Sequence, residues 1–551
     1  MSHMKKYREW IGVFILSIVV SFLNILHVFY WALKTPPDKI FIGITHWYED
    51  YFFYLSLLAQ GAMGKWYLTN AYTLEKNPIG FNWLWNLLLG KLSLILSIPV
   101  WSVYDASIFI VSILYVLLLY RVLRQLFPDQ REKRIGALLI ALFSTNLGLL
   151  QKTSQGFSFI PITYFYAYTE SLNRFGGVSH QIVQNILSLA SIYIFAKLLV
   201  IAKRETKITK NFVILSTGNA IILSLLMTVS TFYVFTNLLI FCVSVLLLAL
   251  LARSDLASSF IRHMVLGLFI CLAPISILTV FQWQLLSHPF WQLVRQWEAT
   301  QSPTSIQTFL LSAGFIVILI PFGLKSFLSK ATPLRVLGAV YAFLPIGLYF
   351  FGFAKFTQTP SFRLLQPPAY VFFAAIAIEG IAVTTAFLRS RLSLKLNGKL
   401  FYGILSLFLI FQIPGLFIEL RERINEYYLN SHLNFLDRDV YNGLMVLKNQ
   451  THDKNVLAVH TLESFVPVVS GHNVYEGHAT LTMDYKTKIE KTIDFYTKKM
   501  TREEGKSFLD SNNIGYVLWE SRFGNPKDIS SYYTFLWVLY ENPKITIFSI
   551  Q

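Results

Sequence analysis

The sequence predicts a mainly α-helical, polytopic membrane protein with a smaller α/β domain at its C-terminal end. Three observations predict it. The 551-residue chain is 54% hydrophobic and only 14% charged, with a mean hydropathy of +0.51, whereas soluble chains carry roughly a quarter charged residues. Long apolar runs recur along it, separated by short basic clusters. The charge is also unevenly spread: residues 421–551 hold 15 Lys+Arg and 16 Asp+Glu, leaving 32 basic and 14 acidic residues in 1–420. Disorder is excluded, because 16% aromatics and few charges are the reverse of its composition. Cys242 and Cys271 both lie in apolar runs and cannot form a disulfide framework or a thiolate metal site. No nucleic-acid partner is expected, since the net charge of +17 is strewn between apolar runs rather than gathered in a reading motif.

A spanning helix needs about 20 mostly apolar residues. Runs of that kind cover 11–33, 103–120, 135–151, 181–202, 212–229, 231–252, 264–286, 307–324, 336–353, 369–388 and 400–418, so about eleven spans are expected. The first follows Lys5-Lys6-Tyr7-Arg8 without a small-residue cleavage site, and reads as a retained helix. Phe81–Ile98 is apolar enough to cross as well. If it crosses, five later basic clusters fall outside, beginning with Arg121, Arg124, Arg131, Lys133 and Arg134. If it stays juxtamembrane, all five lie in the cytoplasm, as cytoplasmic loops require. The second arrangement places 34–102, 152–180, 287–306, 354–368 and 421–551 outside. The expected domains are then a membrane module over 1–420, with its long first outer loop at 34–102, and an extracytoplasmic α/β domain over 421–551.

In that C-terminal part, Val440–Lys448 has a helical pattern and residues 455–460 that of a strand. Tyr485–Lys499 is an amphipathic helix, and Thr501-Arg502-Glu503-Glu504 is a capping box opening a helix to about Asn512. Ile514–Trp519 and Ile545–Ile550 complete the strands.

Chemistry-bearing residues concentrate in the outer segments. The first opens with His46-Trp47-Tyr48-Glu49-Asp50, two adjacent carboxylates among aromatics at the bilayer surface. An apolar wall can tune a carboxylate as a base, though the same pair would also suit the start of a surface helix. Lys65 adds a cation further on. His46 with Glu49 and Asp50 would offer oxygen-rich ligands to a hard divalent ion, but no metalloprotease-type motif is present. In the second outer segment, Arg174, Gly176-Gly177 and a helix starting near His180 make a candidate anion site, or an interfacial arginine reaching headgroups. The third holds Arg295, Trp297 and Glu298; the fourth holds Thr359-Pro360-Ser361-Phe362-Arg363 and Gln366. Glu379 lies inside a span, where an ionisable group is a functional candidate.

Four stretches carry a resemblance to a known family. They are Asp50-x3-Tyr54-Leu55 with Gln60-Gly61-x2-Gly64-x-Trp66 and Tyr72-Thr73-x-Glu75; Arg174-Phe175 followed by His180; Arg363 with the prolines before the tenth span; and Ser470-Gly471-x3-Tyr475-x-Gly477-His478. Together with an acidic first outer loop and a soluble C-terminal part, they resemble the GT-C membrane glycosyltransferases, toward a bacterial subgroup. Two positions depart from the subgroup pattern: no proline precedes His180, and Thr231-Phe232-Tyr233 stands where a His-Pro pair is usual. The resemblance implies a GT-C-type fold and a cell-envelope hexosyl- or pentosyltransferase. The donor would be a polyprenyl-phosphate-linked sugar and the acceptor an extracytoplasmic glycan, lipid or protein. It implies an inverting reaction with Asp50 as general base and Glu49 in reserve. Arg363, Arg174 and Lys65 would contact the donor phosphate, and His180, Tyr54, Gln366, Glu298, Tyr475 and His478 would contact substrate. Two other classes compete: a lipid or polysaccharide transporter or flippase, which needs polar groups across the spans, and a non-catalytic membrane scaffold.

Overall fold

The computed structural model of the chain describes residues 2–80, 82–153, 156–162, 169–250, 254–299, 305–353, 361–392, 399–429, 431–459 and 461–550. Thr359, Pro360, Lys395 and His460 lie outside the described residues. In chain order the helices up to residue 429 are α1 (Ser2–Asn24), α2 (Leu26–Ala32), α3 (Tyr48–Ala62), α4 (Leu84–Leu96), α5 (Val100–Leu126), α6 (Arg131–Phe143), α7 (Ser179–Arg204), α8 (Lys210–Met227), α9 (Thr231–Leu250), α10 (Ser254–Leu286), α11 (Pro289–Ala299), α12 (Ile306–Ser312), α13 (Ile316–Ser329), α14 (Pro333–Phe350), α15 (Tyr370–Leu392), α16 (Lys399–Ile410) and α17 (Ile413–Leu429). Among the described residues nine helical spans are long and apolar enough to cross a bilayer, and α12 with α13, bent by 91°, would make a tenth.

The difference from eleven is α6. Its helix stops at Phe143, where Ser144 turns extended, and the strand Gly148–Thr153 follows, paired antiparallel with Gly156–Pro161. The apolar run 135–151 is therefore part helix and part strand. A 13-residue helix rises about 20 Å, short of the roughly 30 Å hydrocarbon core. The Phe81–Ile98 segment meets the same limit, since α4 has 13 residues. It packs closely on α3, where a Cβ at Gly90 would lie 2.1 Å from the Leu58 carbonyl.

The chain forms two compact units, one of residues 1–24, 108–283 and 295–423, the other of 25–107, 284–294 and 424–551. The division expected from composition, at residue 420, differs from this one because the first outer loop belongs to the same unit as the C-terminal part.

In the first unit, helices cross at glycines. A Cβ at Gly323 of α13 would stand 1.9 Å from the Ile376 carbonyl of α15, so only a hydrogen fits there. Two polar layers bracket this bundle. In one, Glu9 accepts from Tyr120 at 2.6 Å and from Arg134 Nε at 3.0 Å. In the same layer Glu379, 3% exposed, accepts from Lys133 at 2.8 Å, Ser326 at 3.0 Å and Arg335 at 3.3 Å. In the other, Arg423 donates to Asn24 and Asn173, both at 2.9 Å, and Asn24 donates to the Gly176 carbonyl at 3.0 Å. Short as it is, α6 runs from Arg134 in the first layer to Ser144, bonded to Arg174, beside the second. Lys133 and Arg134, read from sequence as loop charges, and Arg335 are thus ion-pair partners of carboxylates in the bundle.

In the second unit, Lys39–Phe41 pairs antiparallel with Phe435–Asp437, tying the segment after α2 to the start of the C-terminal part. A four-stranded sheet follows, in the order Asn455–Leu457, Ile514–Glu520, Ile545–Ile550 and Leu536–Glu541, its first pair parallel and the others antiparallel. Helices Arg438–Lys448, Leu462–Val469, Tyr485–Tyr496 and Arg502–Ser511 accompany it. The capping box is formed: Glu504 N donates to Thr501 Oγ1 and Thr501 N to Glu504 Oε2. Phe495, Phe508, Leu509, Val517, Tyr533 and Phe548 form the core, so the cysteine-free domain is held by packing.

A buried imidazole makes this packing sensitive to acid. His472, 1% exposed, bonds the Thr451 carbonyl at 3.0 Å and Ser470 Oγ at 3.2 Å. Burial and the stacked His452 ring push it from its ordinary 6.5 down to about 4. The unfolded chain takes up the proton from about pH 6.5 downward, while the folded one resists until about pH 4. This contribution to stability is therefore complete above the unfolded value and is lost as pH falls toward the folded one. Between pH 7 and 5 the loss amounts to about 2 kcal/mol. In thermal melts of the full chain, His472→Gln should show a smaller drop between those two pH values than the parent; equal drops would remove His472 as the cause.

Candidate active site

Asp50 and Glu49 stand in the first turn of α3, where free backbone N–H groups stabilise negative charge. The helix starts there because Trp47 is extended, and an apolar face of Tyr51, Phe52, Leu55, Leu58 and Ala59 buries the rest. Although adjacent, the two carboxylates have different surroundings. Glu49 Oε1 accepts from the Ala479 amide at 3.1 Å and Oε2 from the Trp47 indole at 3.0 Å. Oε1 thus holds loop 476–482 to α3, while Oε2 is taken by the residue that precedes the helix. Asp50 keeps 48% of its side chain exposed, and its Oδ1 lies 3.5 Å from Nε2 of His478, which is 2% exposed.

That histidine is held in one tautomer. Its Nδ1 lies 3.3 Å from the amides of Thr480 and Leu481, which can only donate, so Nδ1 accepts and the ring proton sits on Nε2, toward Asp50. The separation exceeds a formed hydrogen bond by about 0.5 Å. The loop carrying His478 is fixed in turn. Thr482 Oγ1 accepts from the Gly477 and His478 amides and donates to the Tyr72 carbonyl at 2.6 Å. Asn70 Nδ2 donates to Leu481 O at 2.7 Å, and Val474 N to Ala71 O at 2.9 Å. Two of the four stretches noted in the sequence, some 400 residues apart, meet in this one site.

Other carboxyls of the same unit are shifted by their surroundings. Burial raises Glu476 to about 7 against the pull of Lys488, and burial together with Glu476 raises Glu463 well above the carboxylate range. Burial opposes ionisation of Glu75 too, but the Lys488 ammonium, 2.6 Å away, and the Thr73 hydroxyl outweigh it and hold Glu75 below its usual value.

The other expected site residues of this unit divide. Tyr54 is one turn along α3 from Asp50, on the same face, with its ring 5.5 Å from that of His46. Lys65 lies beyond the C-terminal end of α3 at Ala62, which is about 18 Å from Asp50 by helical rise, so it is not a partner of that carboxylate. Tyr475 is a core residue, 3% exposed and packed on Phe508, and burial, with Glu75 and Glu476 adding to it, raises its phenol to about 12; it offers no surface to a substrate. His46 turns to Thr45 Oγ1 at 3.0 Å. Among the described residues no group of three or more His, Cys, Asp or Glu side chains comes together as a metal site, so the suggested divalent-ion set of His46, Glu49 and Asp50 does not fit.

In the first unit, Arg363 and Glu298, 65 positions apart, form a two-pronged pair, with Arg363 Nε 3.3 Å from Glu298 Oε2. The guanidinium stays 37% exposed. Arg174 differs from the expectation of an anion site. It is 3% exposed, donates to the carbonyls of Ala141, Thr169, Leu142 and Ser144, and lies over the Tyr370 ring at 4.0 Å. With its donors spent on the ends of helix α6 and the following turn, it ties the bundle. His180 is buried in the first turn of α7. Gln366 is buried, with Oε1 accepting from Ser188 at 2.8 Å and Tyr341 at 2.6 Å, which makes it a helix-to-helix tie.

Two carboxyls escaped the sequence reading. Asp105, in the first turns of α5, has Oδ2 only 2.4 Å from where a Cβ on Gly43 would stand. Gly43 is at φ +78°, and its missing side chain lets the carboxyl approach the backbone. A lone acid inside an apolar run was the available signal. Glu170, four residues before Arg174, accepts from Asn146 at 3.3 Å, and burial with the nearby Glu419 raises it to about 7.

No protein-family model matches the sequence, and no curated protein matches it. Solved structures do share its fold. The oligosaccharyltransferase AglB of Archaeoglobus fulgidus, in complex with an inhibitory peptide and a dolichol-phosphate, matches with a TM-score of 0.54 at 11% identity, over 96% of this chain and 71% of that one. The apo form of the A. fulgidus enzyme gives 0.55 at 12% identity, with the same coverage. ArnT of Cupriavidus metallidurans, bound to undecaprenyl phosphate, gives 0.52 at 11% identity over 98% of both chains. At these identities the shared property is the fold, and it is the GT-C fold expected from the motifs.

Proposed function

We propose that this multi-pass membrane protein is an inverting glycosyltransferase that moves a sugar from a polyprenyl-phosphate donor to a hydroxyl of an extracytoplasmic acceptor, with Asp50 as general base. The observation that carries the reading is the half-exposed Asp50 carboxylate facing the proton-bearing Nε2 of a buried, tautomer-locked His478. In the reaction Asp50 takes the acceptor's hydroxyl proton as that oxygen attacks the anomeric carbon. The bond from carbon to phosphate oxygen breaks, the polyprenyl phosphate leaves with the electron pair, and a single displacement inverts the centre. His478 is a positioning residue: in the reacting complex its N–H closes the present 3.5 Å gap to the carboxylate, orients it and stabilises its charge. Arg363, with part of its guanidinium open to solvent, is our candidate for the donor phosphate, whose charge grows as it leaves. Dolichol-phosphate on AglB and undecaprenyl phosphate on ArnT support the choice of donor class. The test is incubation of the purified full chain with a polyprenyl-phosphate sugar and candidate acceptors, following lipid phosphate release and the anomeric configuration of the product. Retention of configuration would overturn the single-displacement scheme.

His478→Ala should lower turnover roughly 10–100-fold, the worth of a hydrogen bond to a charged group, and His478→Gln should recover part of it. Donor affinity should hardly change. Turnover unaffected by His478→Ala would remove it from the mechanism.

The active face is proposed to lie outside the cytoplasm, because the basic loops agree on one side only in that arrangement. Cysteines placed at Ser390 and Ser511, in a chain with Cys242 and Cys271 replaced, should label from opposite sides of intact cells. Labelling of both from outside would overturn that topology.

A further inference from the structure

A cleft of about 500 Å³ opens in the first unit among the C-terminal ends of α5 and α7 and the N-terminal end of α14. Three cations rim it: Lys203 and Arg204 in the last turn of α7, and Lys330 before α14. All three are exposed. Among the described residues none of them forms an ion pair, whereas the nearby Lys133 and Arg335 are both neutralised by Glu379. The remaining wall is largely apolar, formed by Val200, Pro333 and Leu334.

Three unneutralised cations around one cleft repel one another and call for an anion. The backbone contributes both ways: the 18-residue α14 points its N-terminal end, capped by Thr332, at the cleft and favours negative charge there, while the C-terminal ends of α5 and α7 offset only part of the cationic charge. The layer also matters: Arg335 bonds the Leu126 carbonyl, next to Gln125 of the cleft, so the cleft lies at the layer that holds Glu9, Arg134 and Glu379. Leu328 and Ile208, two residues before Lys330 and four after Arg204, are exposed. A ligand with both phosphate and hydrocarbon would satisfy the cations and cover the apolar wall, whereas a free phosphate would meet only the first need. We propose that this cleft holds the phosphate headgroup of an anionic membrane lipid, at a site separate from the one assigned to catalysis.

The experiment is native mass spectrometry of the purified full chain, titrated with phosphatidylglycerol, with phosphatidylcholine and with inorganic phosphate. Lys203→Gln/Arg204→Gln/Lys330→Gln should weaken phosphatidylglycerol binding on the order of 100-fold, from roughly fivefold per basic side chain near a membrane, and leave phosphatidylcholine unchanged. Millimolar inorganic phosphate should not displace the lipid. The control is Arg389→Gln/Arg391→Gln/Lys399→Gln, which removes equal charge elsewhere. An equal loss in the control would reduce the effect to general surface charge, and displacement by phosphate alone would make this a free-anion site; either overturns the proposal. Should the triple variant fail to fold, Lys330→Gln alone should weaken binding about fivefold, and unchanged binding there would overturn it as well.

Discussion

Asp50→Asn should lower turnover about 10²–10⁴-fold, the usual contribution of a general base, while donor affinity changes little. The amide keeps the size of the side chain and can still meet His478, but it cannot accept a proton from the acceptor. Because a base acts mainly in the transition state, the loss should fall on kcat and kcat/KM together. Glu49→Gln should behave differently, since Glu49 holds the Ala479 amide and the Trp47 indole. Its loss should loosen loop 476–482 and show as reduced stability, with a smaller effect on the chemical step. Arg363→Ala should weaken donor binding as well as turnover. Purified variants assayed for turnover and donor affinity with a polyprenyl-phosphate sugar would separate these outcomes. Normal turnover in Asp50→Asn with loss in Glu49→Gln would move the base by one residue, and normal turnover in both would end the catalytic reading of this loop.

The fold was legible where hydrophobic periodicity is long and unbroken. Spans such as α5, α7 and α9 are continuous apolar runs, and the Thr501 capping box and the strand Ile545–Ile550 occur where the pattern placed them. The reading was weaker where composition outlasted helix: residues 135–151 carry no charge, but the backbone leaves the helix at the polar Ser144-Thr145-Asn146 to reach a hairpin. The strand Leu536–Glu541 lacks a clean alternation because it lies at the sheet edge with Trp537 and Val538 exposed. At the candidate site the residue types were legible and their pairings were not. Nothing local says that Glu49 is engaged by the amide of a residue 430 positions away while its neighbour faces His478. Arg174 illustrates the same limit, because an arginine before a helix reads alike whether it meets a phosphate or four carbonyls of its own chain.

Glu379→Ala should cost about 3–5 kcal/mol of stability, the range for removing one member of a buried ion pair, and should do so whatever substrate the protein handles. Arg335 is 3% exposed and donates to Glu379 and to the carbonyls of Phe327 and Leu126. Without the carboxylate its charge stays buried with only dipoles to meet it. Lys133, 22% exposed at its side chain, can turn outward and should account for less of the loss. Removing both charges should therefore recover much of it: Glu379→Gln/Arg335→Met should melt above Glu379→Ala in the same detergent, since an apolar replacement of a buried pair is often neutral. The prediction also separates two functional classes. Were Glu379 part of a proton or ion path through the spans, its replacement would abolish transport while leaving the melting temperature near that of the parent. A large fall in melting temperature, relieved by the second substitution, is what an ion pair holding α14 to α15 requires. An unchanged melting temperature in Glu379→Ala would return this carboxylate to the functional candidates and favour the transport reading.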